Sequence, residues 1–461
     1  MLILGAGLVV GPMVKFLLKE GYFLTIASLT NKRAEEMIAG HENGKAIYWE
    51  VDDTDTLDQL VSEHDITVSM LPWIHHVLVA KHCIRHKKNM VTTSYVKPEM
   101  QALDQEAKDA GIIILNELGV DPGIDHMSAK RIIDYVKGKD GKIEEFYSLC
   151  GALPEPEVAS QNPFRYKFGW SPKGVILASN NDGRYLCNGK EVYVPTEDIF
   201  KKPLHLDFPN VGRLDIYPNR DSMPYIDLYG IPEAKTMMRG TFRYPGWCET
   251  MDAFKALNLI THDTHDFTGK TYAGMLAMLI GEEEEENIRE KVAARLDLPV
   301  DAHAIEAMEW LGLFSHERMV RRQDTPFEIV SDLMMGKMML GDNERDMVAM
   351  QHVFLAAYPD GQKEVIKSSL LNFGSKATDT AIARTVALPA AVGVKMVLKG
   401  EIQEKGVQIP VIPNIYNPIL DALEDMDISL TEEFGLPESE NIQQPDSDLW
   451  PVTDKDQRSC M

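Results

Sequence analysis

Four stretches of this 461-residue sequence bring together residue types that can do chemistry. In Gly5-Ala6-Gly7-Leu8-Val9-Val10-Gly11, glycines stand between an apolar run and a helical window. They let the backbone turn tightly and approach a pyrophosphate, whose charge is met by the amides and dipole of the helix that follows. The third glycine lies one residue later than in the common GxGxxG spacing, and a turn without a ligand is the competing reading. In Asn116-Glu117-Leu118-Gly119-Val120-Asp121-Pro122-Gly123-Ile124-Asp125-His126, carboxylates and a histidine crowd one turn, which suits an active-site loop or a domain hinge. Asp125 alone fits equally well as the cap of the next helix. In Tyr217-Pro218-Asn219-Arg220-Asp221-Ser222 and Arg239-Gly240-Thr241-Phe242-Arg243-Tyr244-Pro245-Gly246, arginines sit among glycine, proline and aromatic residues. That setting suits a bidentate grip on carboxylates, or else structural salt bridges.

Smaller signals surround these. Ala27-Ser28-Leu29-Thr30-Asn31-Lys32-Arg33 offers no carboxylate for the ribose hydroxyl of NAD, whereas its hydroxyls and two cations suit a 2′-phosphate. This favours NADP over NAD; the alternative is that Lys32 and Arg33 simply begin an exposed helix. The loops Leu71-Pro72-Trp73-Ile74-His75-His76 and Thr93-Ser94-Tyr95 follow apolar runs, at the strand ends where ligands sit in open α/β sheets, and are expected to face a nicotinamide. Adjacent histidines on a turn point apart, so His75 and His76 are not expected to bind a metal. His262, Asp263 and His265 read as solvent-facing.

The elements that must position these residues alternate in type over the first 120 or so residues. Short apolar runs at 2–4, 23–27, 45–49, 66–71, 90–93 and 112–115 are separated by helical windows at 13–20, 34–39, 57–62, 76–86 and 98–109. This is the pattern of a doubly wound parallel sheet. From Ile143 the texture changes to β-rich pieces (145–150, 191–194, 213–217) broken by turn residues, which indicates a mixed α/β domain. Residues 247–350 carry helical spacing, notably at 302–313 and 327–339, where the methionine-rich run from Leu333 to Met339 reads as core filler. Residues 379–399 read as one long helix containing Pro389.

Composition narrows the function classes. A formal charge of −24 repels a phosphate backbone and disfavours nucleic acid as a partner. The acidic run Glu282 to Glu286 and the stretch after Ser429, with Asp446, Asp448 and Asp454, read as solvated. Five cysteines (Cys83, Cys150, Cys187, Cys248, Cys460) without CxxC spacing suggest neither a disulfide framework nor zinc, and fit a reducing compartment. No stretch reaches roughly 18 uninterrupted apolar residues, so a cytoplasmic location without a membrane is expected.

The chain resembles the saccharopine dehydrogenase (L-glutamate-forming) family over nearly its whole length. The resemblance rests on Val91-Thr92-Thr93-Ser94-Tyr95, the Asn116 to His126 run, Cys150 to Glu157, Asn162 to Val175, both arginine loops, Glu344 to Met347 and Thr385 to Ala390. It implies oxidation of saccharopine with NADP or NAD and water to glutamate and aminoadipate semialdehyde, or the reverse condensation. It also implies a Rossmann domain over 1–120 completed by about 395–461, a mixed substrate and dimerisation domain over 121–246 and about 351–394, and an α-helical insertion over 247–350. Carried over by position, cofactor contacts fall at Gly5, Ala6, Gly7, Leu8, Val9, Ser28, Leu29, Thr30, Glu50, Val51, Leu71, Thr93, Ser94, Val120, Asp121, Pro122 and Ser171. Glu50 replaces the family's usual aspartate. Substrate contacts fall at Ser94, Tyr95, Asp121, Arg220, Thr241, Phe242 and Arg243, with Asp121 the candidate general base. The resemblance also implies a homodimer acting on small molecules. A related imine reductase joining an aldehyde to a diamine, or a non-catalytic dinucleotide-binding scaffold, are the competing functions.

Overall fold

The computed structural model describes residues 1–375 and 379–443; Asp446, Asp448, Asp454 and Cys460 lie outside them. Strands buried on both faces are apolar throughout, and that is how the first sheet forms. β1 (Leu2–Leu4), β2 (Leu24–Ser28), β3 (Gly44–Tyr48), β4 (Ile66–Ser69), β5 (Asn89–Thr92) and β6 (Ile113–Leu115) pair in parallel, in the order 6-5-4-1-2-3. A seventh strand, Gly406–Gln408, adds in parallel to the free side of β6. Helices fill the connections, and the expected 98–109 helix is split into Pro98–Gln101 and Asp104–Ala110.

The chain divides into two compact units, residues 1–140 with 368–432, and residues 141–367 with 433 onward. The first unit therefore runs past 120, begins again before 395 and ends at 432. Helix Ile124–Lys137 belongs to it because it packs on helix Pro413–Glu424, with the Tyr416 hydroxyl 2.6 Å from Asp134. Helix Ala381–Leu398 also belongs to it, lying on helix Gly11–Lys19. Ala381–Leu398 has the length and apolarity to cross a membrane, yet 78% of it is buried inside the protein. It approaches the sheet so closely that a Cβ on Gly393 would stand 2.6 Å from Leu118 Cδ1.

A mixed nine-stranded sheet runs in the order Leu204–Phe208, Gly212–Pro218, Thr236–Arg243, Lys142–Pro154, Asp346–Ala357, Lys363–Phe373 and Thr431–Leu436, with Gly183–Cys187 and Lys190–Val194 off this path; its first five strands lie in the second unit, and the last two cross the unit boundaries at 367 and 432. Thr236–Arg243 runs parallel to Lys142–Pro154, and Asp346–Ala357 antiparallel to it. Between residues 247 and 338 lie five helices, Trp247–Ala256, Tyr272–Ile280, Ile288–Leu296, His303–Leu311 and Pro326–Met338. Met334 and Met338 of the last are fully buried core residues.

The turn after β6 needs a particular glycine. Gly119 N–H donates to the Pro122 carbonyl at 2.8 Å, and Ile124 N–H to the Gly119 carbonyl at 2.9 Å. This closure lays Gly123, at φ +147°, against Gly119, and a Cβ there would stand 2.0 Å from the Gly119 oxygen. Gly123→Ala is therefore expected to destabilise the fold by about 3 kcal/mol or more. Gly7→Ala, whose Cβ meets nothing within 4 Å, is expected to stay within about 0.5 kcal/mol of the parent. Urea unfolding of both variants checks the pair.

Candidate active site

The glycine loop leaves β1 with Gly5 at φ +98°, where a Cβ would stand 3.0 Å from the Met70 carbonyl. Gly5 N–H donates to Ala27 at 2.8 Å, which ties the loop to β2. Ala6 is buried, Val9 half-buried, and Gly7 and Leu8 exposed with open space above Gly7. The extra residue before Gly11 is taken up by the turn, and Gly11 becomes the first residue of the helix. Its N-cap, Val10, makes no side-chain cap, and Pro12 occupies the first turn. Amides at this end are thus left for an anion.

At the end of β2 the buried Ser28 hydroxyl accepts from Thr30 N–H at 3.1 Å, while Leu29 is largely exposed. Lys32 and Arg33 lie in the first turn of helix Asn31–Ile38. Lys32 meets Glu36 only at 4.0 Å with both side chains mostly in solvent, a contact of little energy. Glu50 is exposed and bonded by the Tyr48 hydroxyl. Val51 and Leu71 pack on the core of this unit.

The carboxyl ends of β4, β5 and β6 bring the next group together. Tyr95 donates its hydroxyl proton to Asp121 at 2.5 Å. Glu117 accepts from Val96 N–H at 2.8 Å and stands 2.7 Å from His126 Nε2, both side chains being buried. Asp125, fully buried, accepts from Gly123 N–H at 2.6 Å and His126 N–H at 2.8 Å, so it serves the turn and not the open edge. Val120 and Pro122 contribute carbonyls to the same turn, and Thr93 flanks Gly119.

Sequence reasoning set His76 aside; the structure puts it among the site residues. The two histidines do point apart, His76 buried and His75 half-exposed. His76 Nδ1 lies 2.8 Å from Ser69 Oγ, and Nε2 2.8 Å from Ser94 Oγ. A cavity of about 180 Å³ beside it is lined by Trp73, Ile74, Tyr95, Lys97 and Asn116 among others. Lys97 lies 5.4 Å from the Trp73 ring, and neither was singled out from the sequence as a site residue.

The second unit carries the arginines. Along strand Thr236–Arg243 side chains alternate, so Arg239, Thr241 and Arg243 share one face. Phe242 points the other way, fully buried with its ring 5.8 Å from Phe208. Its side chain therefore cannot join its neighbours' face, and only its backbone is available there. The Arg243 guanidinium is 95% buried among the rings of Tyr166, Tyr217 and Trp247, at 5.0, 5.7 and 5.3 Å. One of its nitrogens donates to the Phe242 carbonyl at 2.8 Å, and Nε has no partner. Burial pushes the Tyr166 and Tyr217 hydroxyls up, which keeps this cage uncharged. Arg239, which heads the second arginine loop but was not among the carried-over substrate contacts, is buried against Tyr225, donating to its hydroxyl at 2.8 Å.

Arg220 is exposed at φ +59°, and its carbonyl accepts from Arg184 N–H. Asp221 of that loop makes a salt bridge with Arg184 at 3.0 Å. Ser171 caps helix Pro172–Ala178 by accepting from Gly174 N–H at 3.3 Å. His262 and Asp263 are exposed and His265 half-buried.

Burial, reinforced by the neighbouring His75, pushes His76 down from the usual 6.5 to about 4. The unfolded chain takes up that proton near pH 6.5, and the folded chain only near 4. Folded stability is therefore fully present above 6.5 and falls as pH drops from 6.5 to 4, by roughly 3 kcal/mol for this group. Urea unfolding at pH 7 and near pH 4.5 is expected to show His76→Asn losing about 2 kcal/mol less than the parent between the two. Equal losses would mean that the histidine titrates normally.

Residues 1–115 match the saccharopine dehydrogenase NADP binding domain, and residues 119–428 the saccharopine dehydrogenase C-terminal domain. The saccharopine dehydrogenase [NADP(+), L-glutamate-forming] of Saccharomyces cerevisiae is 36% identical over 437 residues, covering 92% of this chain and 96% of that protein. The mitochondrial alpha-aminoadipic semialdehyde synthase of Bos taurus is 36% identical over 443 residues, 94% of this chain but 47% of that protein. The chain thus spans about half the length of this longer relative. The apo structure of histidine-tagged saccharopine dehydrogenase (L-Glu forming) from Saccharomyces cerevisiae superposes with a TM-score of 0.86 at 34% identity, covering 94% of this chain and 99% of that one. With two family domains matched in order, on a fold shared with a family member, the chain belongs to the saccharopine dehydrogenase family.

Proposed function

We propose that this protein is an NADP-dependent, glutamate-forming saccharopine dehydrogenase. The reaction would take saccharopine, NADP+ and water to L-glutamate and 2-aminoadipate 6-semialdehyde, or run in reverse. The observation that carries the reading is the Tyr95–Asp121 hydrogen bond at the carboxyl edge of the parallel sheet, where ligands of doubly wound folds bind. The family match of residues 1–115 and the cations Lys32 and Arg33 support NADP over NAD.

In this reading Gly5, Ala6, Gly7, Leu8 and Val9 hold the pyrophosphate on the helix Gly11–Lys19. Ser28, Leu29 and Thr30 hold the adenosine end, with Lys32 and Arg33 on its phosphate. Glu50, Val51, Leu71, Thr93, Val120, Pro122 and Ser171 complete the cofactor contacts. Bound NADP+ would accept the hydride from the substrate carbon. Asp121 takes a proton from the water that attacks the resulting imine carbon, and Tyr95, already hydrogen-bonded to it, offers the path by which that proton moves. Arg243 meets a carboxylate from inside a desolvated cage, where a charge-assisted bond is strong. Arg220, Thr241, the Phe242 backbone and Ser94 complete the substrate contacts. Fixing several carboxylates sets the carbon–nitrogen bond in place for transfer. The second unit would serve substrate binding and dimerisation in a cytosolic homodimer, and the free, buried Cys83 and Cys248 thiols suit a reducing compartment such as the cytosol.

The test is a spectrophotometric assay of the purified protein with saccharopine, run separately with NADP and NAD. Turnover is expected with both or with NADP alone, and faster with NADP. Asp121→Asn is expected to lower kcat by about 10²–10⁴. Arg243→Leu is expected to weaken transition-state binding by about 2–5 kcal/mol. Cofactor binding without any turnover of saccharopine would overturn the reading.

A further inference from the structure

Ser94 stands at the substrate edge in the function proposed above, but a hydroxyl there can face a ligand as donor or as acceptor, and only one of these suits a carboxylate. The choice is made by the groups behind it. Ser94 Oγ lies 2.8 Å from His76 Nε2, and the other ring nitrogen lies 2.8 Å from Ser69 Oγ. Thr92 Oγ1 is a longer third neighbour, 3.3 Å from Nε2. The ring is buried and no carboxylate hydrogen-bonds to it, so at neutral pH it carries a single N–H.

Suppose that proton sits on Nδ1. It then donates to Ser69, Nε2 must accept, and Ser94 gives up its own proton inward. Ser69 is fully buried and, among the described residues, has His76 as its one side-chain partner, so its hydroxyl proton is stranded, and the Thr92 proton with it. Suppose instead that it sits on Nε2. Ser69 then donates to Nδ1, the ring donates to Ser94, and only the more distant Thr92 proton lacks an acceptor. Stranded buried donors are costly, so the second arrangement wins. In it Ser94 has accepted from behind, and its own proton is directed to whatever lies in front.

We propose that His76 is a positioning residue for substrate binding: bracketed by Ser69, it donates through Nε2 to Ser94 and so presents the Ser94 hydroxyl as a donor to a substrate carboxylate. The sequence of bonds runs Ser69 O–H to Nδ1, Nε2–H to Ser94 Oγ, and Ser94 O–H to the carboxylate. Nothing in it needs a change of protonation during turnover. The effect belongs to binding, and it acts through Ser94 alone. The inference rests on the proposed function.

Steady-state kinetics with saccharopine and saturating NADP would test it, using His76→Ala, His76→Asn, His76→Gln, Ser94→Ala and the double variant His76→Ala with Ser94→Ala. An Ala or Asn side chain cannot reach Ser94 from the Nε2 position, whereas a Gln amide can. His76→Ala and His76→Asn are expected to raise the saccharopine KM about tenfold with kcat within about threefold. His76→Gln is expected to bring KM back to within about threefold of the parent. In the Ser94→Ala background, His76→Ala is expected to change KM by less than about twofold, since the route is already cut. A His76→Gln variant as impaired as His76→Ala, or an undiminished effect of His76→Ala in the Ser94→Ala background, would make His76 a merely structural residue and overturn the inference while leaving the function intact. A parent enzyme that does not turn over saccharopine would overturn the function, and this inference with it.

Discussion

The carboxyl edge of the parallel sheet in the first unit turns on one buried carboxylate, Glu117, held between Val96 N–H and His126 Nε2. Glu117 follows β6, Val96 follows β5, and His126 lies in the first turn of the next helix, so one side chain joins three segments, beside the backbone bonds from Glu117 N–H to the Ser94 carbonyl and from Leu118 N–H to the Thr92 carbonyl. A carboxylate without partners in that place would cost several kcal/mol. Spanned by two hydrogen bonds, and together with those backbone bonds, it fixes how far the β5 loop stands from the β6 turn. The Tyr95–Asp121 contact is a consequence, since Tyr95 precedes Val96 on one side and Asp121 belongs to the turn on the other. Gly123 serves the same constraint from below, because only a residue without a Cβ lets the turn fold back onto Gly119.

The arginines of the second unit obey a different rule. A strand shows alternate residues to one face, so Arg239, Thr241 and Arg243 form a row while Phe242 anchors the row in the core. Aromatic rings around Arg243 give its cation a favourable surface without neutralising it. A carboxylate from the same chain would have satisfied it more strongly and removed it from ligand binding. The cage leaves its Nε without an internal acceptor.

Six strands of the sheet were legible because they are apolar runs at regular intervals, and β1 to β6 each lie within a residue or two of their expected places, whereas the seventh, Gly406–Gln408, was not expected as a strand. Unit boundaries were less legible, because the apolar stripe of helix Ile124–Lys137 says that it packs but not on what. The glycine loop, Ser94, Tyr95 and Asp121 announce themselves through local composition. His76 does not, because its partners lie 7 and 18 residues away and meet it only through the register that sets Ser69 beside Thr92. Phe242 shows what a contiguous triplet hides: the period of a strand separates the side chain of its middle member from the other two, and leaves only its backbone on their face.

A chain with net charge −24 is an unpromising host for ligands that carry several negative charges. Solvent and salt screen exposed charges within about 10 Å, however, so the overall charge chiefly affects how often an anion arrives. What holds it afterwards is the local field. Arg239 and Arg243 are removed from water by aromatic rings, and Lys32 and Arg33 stand at a helix start. Removing a cation from solvent strengthens its pull on a nearby carboxylate in a way no surface charge can match. An acidic exterior and buried cations are therefore compatible, because they act over different distances.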